Sequence, residues 1–218
     1  MSRLKRYPEA IAAYDKTLSL APDFDLAWYN RGYAFYLLQQ YPEAETSLAQ
    51  ALRLNPKNEQ ALFYQGVIAY DRKNYQMALE SFDQVLVINP DHEPTWFNRG
   101  LSLEQLDRYE LALEAFTQAV RLNPKNPQAW FKQGNVLIEL TRYEDAVGAY
   151  DQVLKLEPKN EATWFNRGLA LTGLRRYEEA ISNFEEVLKI NPDNQDAQEF
   201  WQNLQQQVQR QKYRTVEV

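Results

Sequence analysis

The side chains with the most regular polar pattern in this sequence are asparagines and tyrosines, which are suited to binding rather than to catalysis. Asn30, Asn98 and Asn166 are spaced 68 residues apart, and tyrosines stand at positions 29, 33 and 36 around the first of them. An asparagine amide offers N–H donors and a carbonyl acceptor, so it can hold a peptide backbone without reading the side chains. Tyrosine adds a large contact area with a polar tip. These residue types predict a surface that binds peptide.

The composition excludes most reactive chemistry. The 218 residues include no cysteine and one histidine, His92, which stands beside Pro90 where a surface turn is expected. A thiol nucleophile, a disulfide and a histidine-based zinc cluster are therefore excluded. The net charge of −6 disfavours nucleic acid, because phosphate contacts dominate the affinity for it. We expect no enzyme activity, no cofactor, no metal site and no nucleic-acid partner.

The sequence also carries no signal for a membrane or for export. No stretch of about 18 consecutive apolar residues occurs, which is the length that a transmembrane helix needs. The first residues are basic but are not followed by the apolar run of a secretory signal. We therefore expect a cytoplasmic protein with no membrane partner.

One 34-residue period runs through nearly the whole chain. Five of the seven glycines, six of the ten prolines and four of the five tryptophans follow it. Several residue types in one register indicate a tandem repeat. The residues in register are Gly32, Gly66, Gly100, Gly134 and Gly168; Pro22, Pro56, Pro90, Pro124, Pro158 and Pro192; and Trp28, Trp96, Trp130 and Trp164, with Leu62 in the remaining tryptophan position.

One repeat shows the full pattern, Trp164-Phe165-Asn166-Arg167-Gly168 followed by Tyr177, Ala180, Phe184 and Pro192. In length and pattern it resembles the tetratricopeptide repeat (TPR). The resemblance implies an all-α fold, a right-handed α-solenoid (superhelix) of helix-turn-helix TPR units with a concave groove. It also implies a protein–protein interaction module or scaffold that holds an extended peptide or a partner helix in that groove.

The repeat divides the chain into three parts. Residues 1–24 are predicted to form half a repeat, with only its second helix (helix B). Five complete units, each with a helix A and a helix B, follow over residues 25–194. Residues 195–218 are predicted to form a C-terminal capping helix and a short tail, because a solenoid needs a polar-backed last helix. The units are placed approximately at 25–58, 59–92, 93–126, 127–160 and 161–194.

Within a unit, apolar residues recur at helical spacing on both sides of a short turn, and Asn55-Pro56 ends helix B of the first unit. Gly32 lacks a Cβ and is expected to let helix B approach, with Ala44 as its small partner. We expect a core formed by the tryptophans and by Phe82, Phe116, Tyr150 and Phe184. A carboxylate opens four units and can cap helix A or complement its dipole; these residues are Asp25, Glu59, Glu93 and Glu161.

The face of helix A opposite the core is expected to line the groove. At about 100° per residue, that face includes the second, fifth, sixth, ninth and twelfth residues of each unit. The asparagines either bind a ligand backbone or bond a neighbouring helix, and the tyrosines either bind an apolar ligand segment or pack against adjacent helices. We favour ligand binding, because a groove amide gains from a partner. The candidate residues are Asn30, Asn98, Asn166, Tyr29, Tyr33, Tyr36, Tyr64, Tyr70, Lys132 and Asn135.

Charged residues are sparse on this predicted face. Family members that capture acidic C-terminal tails use a five-residue clamp of lysine, arginine and asparagine. In the best frame of this sequence only Asn98 matches, and Lys132 replaces an arginine with preservation of charge. The remaining clamp positions are Phe63, Val67 and Gln128. The sequence therefore does not predict capture of an acidic tail in that manner.

The N-terminal half repeat leaves two alternatives open. Tyr7 to Ala10 aligns with Tyr41 to Ala44, so the first helix B has no helix A and the stripe of Ile11, Tyr14 and Leu18 lacks a natural partner. The chain is either a substrate-recruiting or assembly segment of a larger multidomain protein, or a self-assembling array that forms a homo-oligomer through residues 8–20. We favour the segment, because unprotected apolar stripes are normally covered.

Overall fold

The computed structural model describes the backbone of residues 6–216 and the side chains of residues 6–211. This part of the chain contains twelve α-helices and no β-strand. Residues 1–5 of the predicted half repeat and 217–218 of the predicted tail lie outside it. The helices are α1 (Tyr7–Leu20), α2 (Asp25–Leu37), α3 (Tyr41–Leu54), α4 (Glu59–Asp71), α5 (Tyr75–Ile88), α6 (Glu93–Glu104), α7 (Tyr109–Leu122), α8 (Pro127–Glu139), α9 (Tyr143–Leu156), α10 (Glu161–Gly173), α11 (Tyr177–Ile190) and α12 (Gln195–Val216).

The chain forms two compact units, Met1–Arg108 and Tyr109–Val218, which we call unit 1 and unit 2. Unit 1 contains α1 to α6, and unit 2 contains α7 to α12. Within each unit, consecutive helices pack together, and each helix A also contacts the next helix A, as α2 does with α4 and α8 with α10. Neighbouring A helices therefore present their side chains on one shared surface. The helices α2, α4, α6, α8 and α10 begin where the sequence pattern places the starts of the five repeats.

At the starts of α4 and α10, one residue caps the helix and the next residue bonds to the end of helix B. The side-chain oxygens of Asn58 and Asn160 accept backbone N–H bonds and cap α4 and α10. The carboxylate that follows each cap lies in the first helical turn. There Glu59 accepts a hydrogen bond from Asn89 (3.0 Å), and Glu161 accepts one from Asn191 (2.9 Å). The predicted carboxylate thus accepts a hydrogen bond from the end of helix B in the same repeat, while the asparagine one residue earlier caps helix A.

The turn between helix A and helix B contains a strained residue in every complete repeat. Its φ lies between 56° and 61°, in the left-handed region that side chains with a Cβ rarely adopt. None of these residues is glycine, so the glycine pattern gave no indication of the turn. They are Gln39, Lys73, Asp107, Thr141 and Arg175.

The period-setting glycines lie where a helix B side chain crosses helix A. An added Cβ on Gly134 would lie 2.5 Å from Cε1 of Tyr150, and one on Gly32 would lie 2.9 Å from Cγ of Leu48. The close approach predicted at Gly32 is present, but its side-chain partner is Leu48, and Ala44 contributes its backbone oxygen at 3.2 Å. The predicted core aromatics Phe82, Phe116, Tyr150 and Phe184 are fully buried.

The four tryptophans in register are half-buried, and Trp28, Trp130 and Trp164 pack against the buried core, as expected. Each indole N–H donates to the backbone oxygen of the proline six residues earlier, for example from Trp96 to Pro90 at 2.7 Å. Trp28, Trp130 and Trp164 make the same bond. The side chain of Leu62 has no N–H group to donate, so the second repeat lacks this bond. The 34-residue register of tryptophan and proline therefore reflects one hydrogen bond between adjacent repeats.

The ends of the chain differ in how well their apolar residues are covered. In α1, Leu18 is buried and Ile11 and Tyr14 are half-buried, so the stripe expected to lack a partner is partly covered within unit 1. Self-association through residues 8–20 stays a prediction. In α12, Ala197, Leu204 and Val208 are buried within unit 2, and the capping role of this helix stays a prediction.

Candidate functional site

Four tyrosine rings from two neighbouring A helices meet on one surface of unit 1. The ring centroids of Tyr33 and Tyr64 are 4.6 Å apart, and those of Tyr36 and Tyr64 are 5.3 Å apart. Tyr29 lies 6.3 Å from both Tyr33 and Tyr64. All four side chains are half-buried, so each ring keeps an accessible part. We call this set of Tyr29, Tyr33, Tyr36 and Tyr64 the tyrosine surface.

Three tyrosines of the tyrosine surface have raised pKa values. Burial raises the pKa of Tyr64 well above its usual range, and a hydrogen bond with Tyr33 raises it further. Burial is also the main reason that the pKa values of Tyr29 and Tyr36 are raised. The protonated hydroxyls of Tyr29 and Tyr36 are therefore hydrogen-bond donors beside accessible ring faces. This combination suits contact with a peptide.

One carboxylate, Asp71 at the end of α4, borders this surface. Tyr41 Oη donates to Asp71 Oδ2 at 3.4 Å, and the rings of Tyr36 and Tyr41 are 6.4 Å apart. Burial raises the pKa of Asp71, although the Tyr41 hydrogen bond opposes that shift. Among the described side chains, no basic group forms an ion pair with Asp71, and the adjacent Arg72 pairs instead with Glu45 at 2.7 Å. Asp71 is therefore a carboxyl group beside aromatic rings that has no basic partner among the described side chains.

The structure separates Tyr70 from the tyrosine surface. Its ring packs against Tyr75 at 5.4 Å in an edge contact. Burial raises the pKa of Tyr70, and the nearby charges of Tyr75, Glu104 and Asp71 add to the shift. Tyr70 thus lies close enough to Asp71 to sense its charge, while its ring is engaged by helix B of the same repeat.

The two candidate asparagines in unit 1, Asn30 and Asn98, differ in the hydrogen bonds of their side chains. Asn98 donates from its amide nitrogen to the backbone oxygen of Pro94 in its own helix at 2.7 Å. Asn30 is half-buried, and within the described part of the chain its side chain makes no hydrogen bond. A half-buried amide without a protein partner must bond to water or to a ligand. Asn30 lies next to Tyr29 in the sequence and shares α2 with the tyrosine surface.

In unit 2, Asn135 joins three helices through its side-chain oxygen. Tyr150 donates its hydroxyl to Asn135 Oδ1 at 2.8 Å, and Asn166 donates its amide to the same oxygen at 3.0 Å. Burial raises the pKa of Tyr150. Asn166 therefore bonds a neighbouring helix through its amide nitrogen, which is the alternative to ligand binding that the sequence left open. The side-chain carbonyl oxygen of Asn166 takes part in neither of these two hydrogen bonds. Lys132 is half-buried on the same helix as Asn135.

The aromatic residue before each asparagine position mainly serves packing, as expected. Phe131 packs against Tyr150 at 6.0 Å, and Phe165 packs against Phe184 at 5.5 Å. In the first repeat this position is Tyr29, whose neighbours are other tyrosines of the surface. The position thus serves packing in unit 2 and in the second repeat, where Phe63 lies 6.0 Å from Phe82, and it belongs to the candidate site in the first repeat.

His92 is half-buried at the turn before α6. Its Nδ1 lies 2.6 Å from Thr95 Oγ1, and its ring contacts Phe63 in an edge arrangement at 5.3 Å. Among the residues that the structure describes, no group of three or more histidine, aspartate or glutamate side chains is placed to hold a metal ion. No helix in that part combines the length and the apolar character needed to cross a membrane.

Comparison with known families places the chain. Sequence profiles described as tetratricopeptide repeat match residues 26–58, 65–130 and 131–195, and a TPR repeat profile matches residues 3–39. The chain belongs to the tetratricopeptide repeat family and is an all-α helical-repeat solenoid. Family and fold define it as a protein-interaction module. No curated protein matches the chain significantly.

Solved structures share the fold at low sequence identity. YrrB, described as a TPR protein with an unusual peptide-binding site, is 20% identical with a TM-score of 0.80, over 86% of this chain and 96% of YrrB. A MamA protein is 21% identical with a TM-score of 0.74, over 77% of this chain and 92% of its own. MamA from Desulfovibrio magneticus RS-1 is 21% identical with a TM-score of 0.71, over 78% and 97% of the two chains.

Proposed function

We propose that the surface formed by α2 and α4 in unit 1 binds an extended peptide that carries apolar or aromatic side chains. The observation that supports this proposal is the meeting of four tyrosine rings beside Asn30, an amide with no side-chain bond in the described chain. Aromatic clusters with accessible faces are typical of binding hot spots, because tyrosine loses little conformational entropy on binding.

In this proposal the asparagines hold the peptide backbone. In unit 1, Asn30 offers both its donor and its acceptor, whereas Asn98 spends its amide nitrogen within the chain and offers the carbonyl oxygen. In unit 2, Asn166 also spends its amide nitrogen within the chain, and we propose its carbonyl oxygen as a separate contact for a ligand segment. Asn135 acts indirectly, because its bond orients Asn166. Tyr70 and Lys132 are proposed as further contacts outside the tyrosine surface. The peptide-binding site named for YrrB supports a peptide as the ligand class.

The test is a selection with a phage-displayed library of random peptides. Peptides enriched on the wild-type protein should carry apolar or aromatic residues. Their affinity should fall at least about tenfold for the double variant Tyr33→Ala/Tyr64→Ala, because truncation of a central aromatic residue commonly costs 2 kcal/mol or more (about 30-fold). Phe24→Ala serves as the control, because Phe24 is an exposed aromatic residue outside the tyrosine surface. Circular dichroism establishes that all variants are folded.

The asparagines are tested separately in the same assay. Asn30→Ala should weaken the selected peptides more than Asn98→Ala, because Asn30 has no competing bond within the chain. The double variant of Asn30 and Asn98 should be weaker still. Selected peptides that bind the tyrosine and asparagine variants as well as the wild type would refute the proposed site.

A further inference from the structure

A carboxyl group, that of Asp71, borders the tyrosine surface, and no basic side chain in the described part of the chain forms an ion pair with it. Asp71 approaches Tyr41 at 3.4 Å, and Tyr41 in turn packs 6.4 Å from Tyr36, so the carboxylate and the rings face one small region. Burial is the main cause that raises the pKa values of Tyr36 and Tyr41, and the charge of Asp71 is the next cause for both. A ligand placed over these rings therefore meets a negative potential and the electron-rich faces of aromatic rings.

Elsewhere in unit 1 the chain combines an aromatic ring and an aspartate with an arginine. The guanidinium carbon of Arg31 lies 4.8 Å from the Phe35 ring centroid, and its Nε bonds Asp15 at 2.7 Å. Arg99 repeats the arrangement with Trp96 at 5.7 Å and Asp83 at 2.7 Å. At Tyr36, Tyr41 and Asp71 the rings and the carboxylate are present, and no basic side chain among the described residues completes the set.

We propose that the bound peptide carries an arginine, whose guanidinium stacks on Tyr36 and Tyr41 and pairs with Asp71. This inference rests on the proposed function, since it names the chemistry of the peptide that the tyrosine surface holds. Arginine fits because its guanidinium is planar, stacks on aromatic faces and presents a fork of donors to a carboxylate. Lysine has a compact, strongly hydrated charge that does not stack in this way.

The experiment compares peptides that differ in the side chain at one fixed position. Labelled hexapeptide pools carry either arginine or its neutral isostere citrulline at one fixed position, with apolar and aromatic residues at the others. Further pools carry lysine or glutamate at the fixed position. Dissociation constants are measured by fluorescence anisotropy for the wild type, for Asp71→Asn and for Glu80→Gln. Glu80 is an exposed carboxylate on α5, so Glu80→Gln controls for the loss of one negative charge.

The wild type should bind the arginine pool about tenfold more tightly than the citrulline pool, which is the combined effect expected of an exposed stack and a partly screened ion pair. Asp71→Asn should reduce that preference to about twofold, which is the part that stacking alone retains, and leave citrulline binding unchanged. Glu80→Gln should keep the wild-type preference. The lysine pool should fall between the arginine and citrulline pools, and the glutamate pool should bind most weakly.

Three results would overturn the arginine inference: equal binding of arginine and citrulline by the wild type, an unchanged preference in Asp71→Asn, or lysine equal to arginine. If the Tyr33→Ala/Tyr64→Ala variant still loses all pools in such a case, the proposed peptide site survives while its arginine preference does not. A wild type that binds no pool overturns both the inference and the proposed site.

Discussion

Replacing Gly134 by alanine should destabilise unit 2, whereas the same replacement at Gly148 should stabilise it. Both glycines lie inside helices, in α8 and α9 of one repeat. A Cβ on Gly134 would stand 2.5 Å from Cε1 and 2.8 Å from Cζ of Tyr150, while a Cβ on Gly148 would meet nothing within 4 Å. The two substitutions therefore share their effect on the backbone and differ only in the space available.

The Tyr150 ring has little freedom to move away from a new methyl group. It is fully buried, and its hydroxyl is held by Asn135 at 2.8 Å. Overpacking of a dense core costs about 1–3 kcal/mol. Alanine recovers about 1 kcal/mol of helix propensity. We expect Gly134→Ala to lose up to about 2 kcal/mol and Gly148→Ala to gain about 0.5–1 kcal/mol.

Urea unfolding followed by far-UV circular dichroism measures both changes as shifts in the midpoint at constant slope. A third variant tests the cause: Gly134→Ala combined with Tyr150→Ala removes the ring atoms that a Cβ at position 134 would meet. The double variant should lose less than the sum of its two single changes, because the clash is relieved. Equal shifts for Gly134→Ala and Gly148→Ala would refute the steric argument, and strict additivity would show that Tyr150 is not the obstacle.

Three further predictions concern a strained turn residue, an ion pair and a carboxyl group with a raised pKa. Thr141→Asn should stabilise the fold by about 0.5–1 kcal/mol in urea unfolding, because asparagine tolerates the left-handed φ of 56° better than a β-branched residue; an unchanged midpoint would show that the turn is not strained. A double-mutant cycle on Arg99 and Asp83, 2.7 Å apart and partly exposed, should give a coupling of about 0.5–1 kcal/mol that weakens with salt, and a salt-independent value would contradict an electrostatic origin. The folded-state pKa of Asp71 is raised above its unfolded value, so its ionisation destabilises the fold as pH rises through that pKa. Asp71→Asn should therefore melt at the same or a higher temperature at neutral pH and lose any advantage in acid, whereas a lower melting temperature at neutral pH would contradict the shift.

The repeat pattern predicted the helices well because each repeat solves the same packing problem. Glycine, alanine and the aromatic residue of helix B recur where two helices cross, so their spacing shows where helices begin and which faces meet. The tryptophans Trp28, Trp130 and Trp164 pack against the core as predicted, but the sequence did not show that their rings are only half-buried. The structure shows that the indole N–H binds a proline oxygen, as at Trp96, which keeps the ring near the surface.

The candidate site was predictable only in part. The run of Tyr29, Tyr33 and Tyr36 on one helix face, with Tyr64 in the next repeat, indicated the tyrosine surface. Tyr41 and Asp71 carried no signal, because Tyr41 recurs in register as Tyr75, Tyr109, Tyr143 and Tyr177 and therefore resembles a structural residue. Tyr70, predicted to neighbour the cluster, instead packs against Tyr75. These distinctions depend on side-chain directions that spacing along a helix does not specify.

The sequence by itself determined the architecture of this protein, because a 34-residue period in glycine, proline, alanine and aromatic residues can be satisfied only by repeating the same helix pair. It also determined the set of polar and aromatic residues from which a binding surface can be built. The tertiary structure alone decided which of these residues are already engaged. Asn166 is bonded to Asn135 while Asn30 has no such bond in the described chain, and Asp71 lies beside aromatic rings without a basic partner. Hydrogen bonds and ion pairs between repeats depend on atomic distances across helices, and repeats that are alike in sequence differ in them.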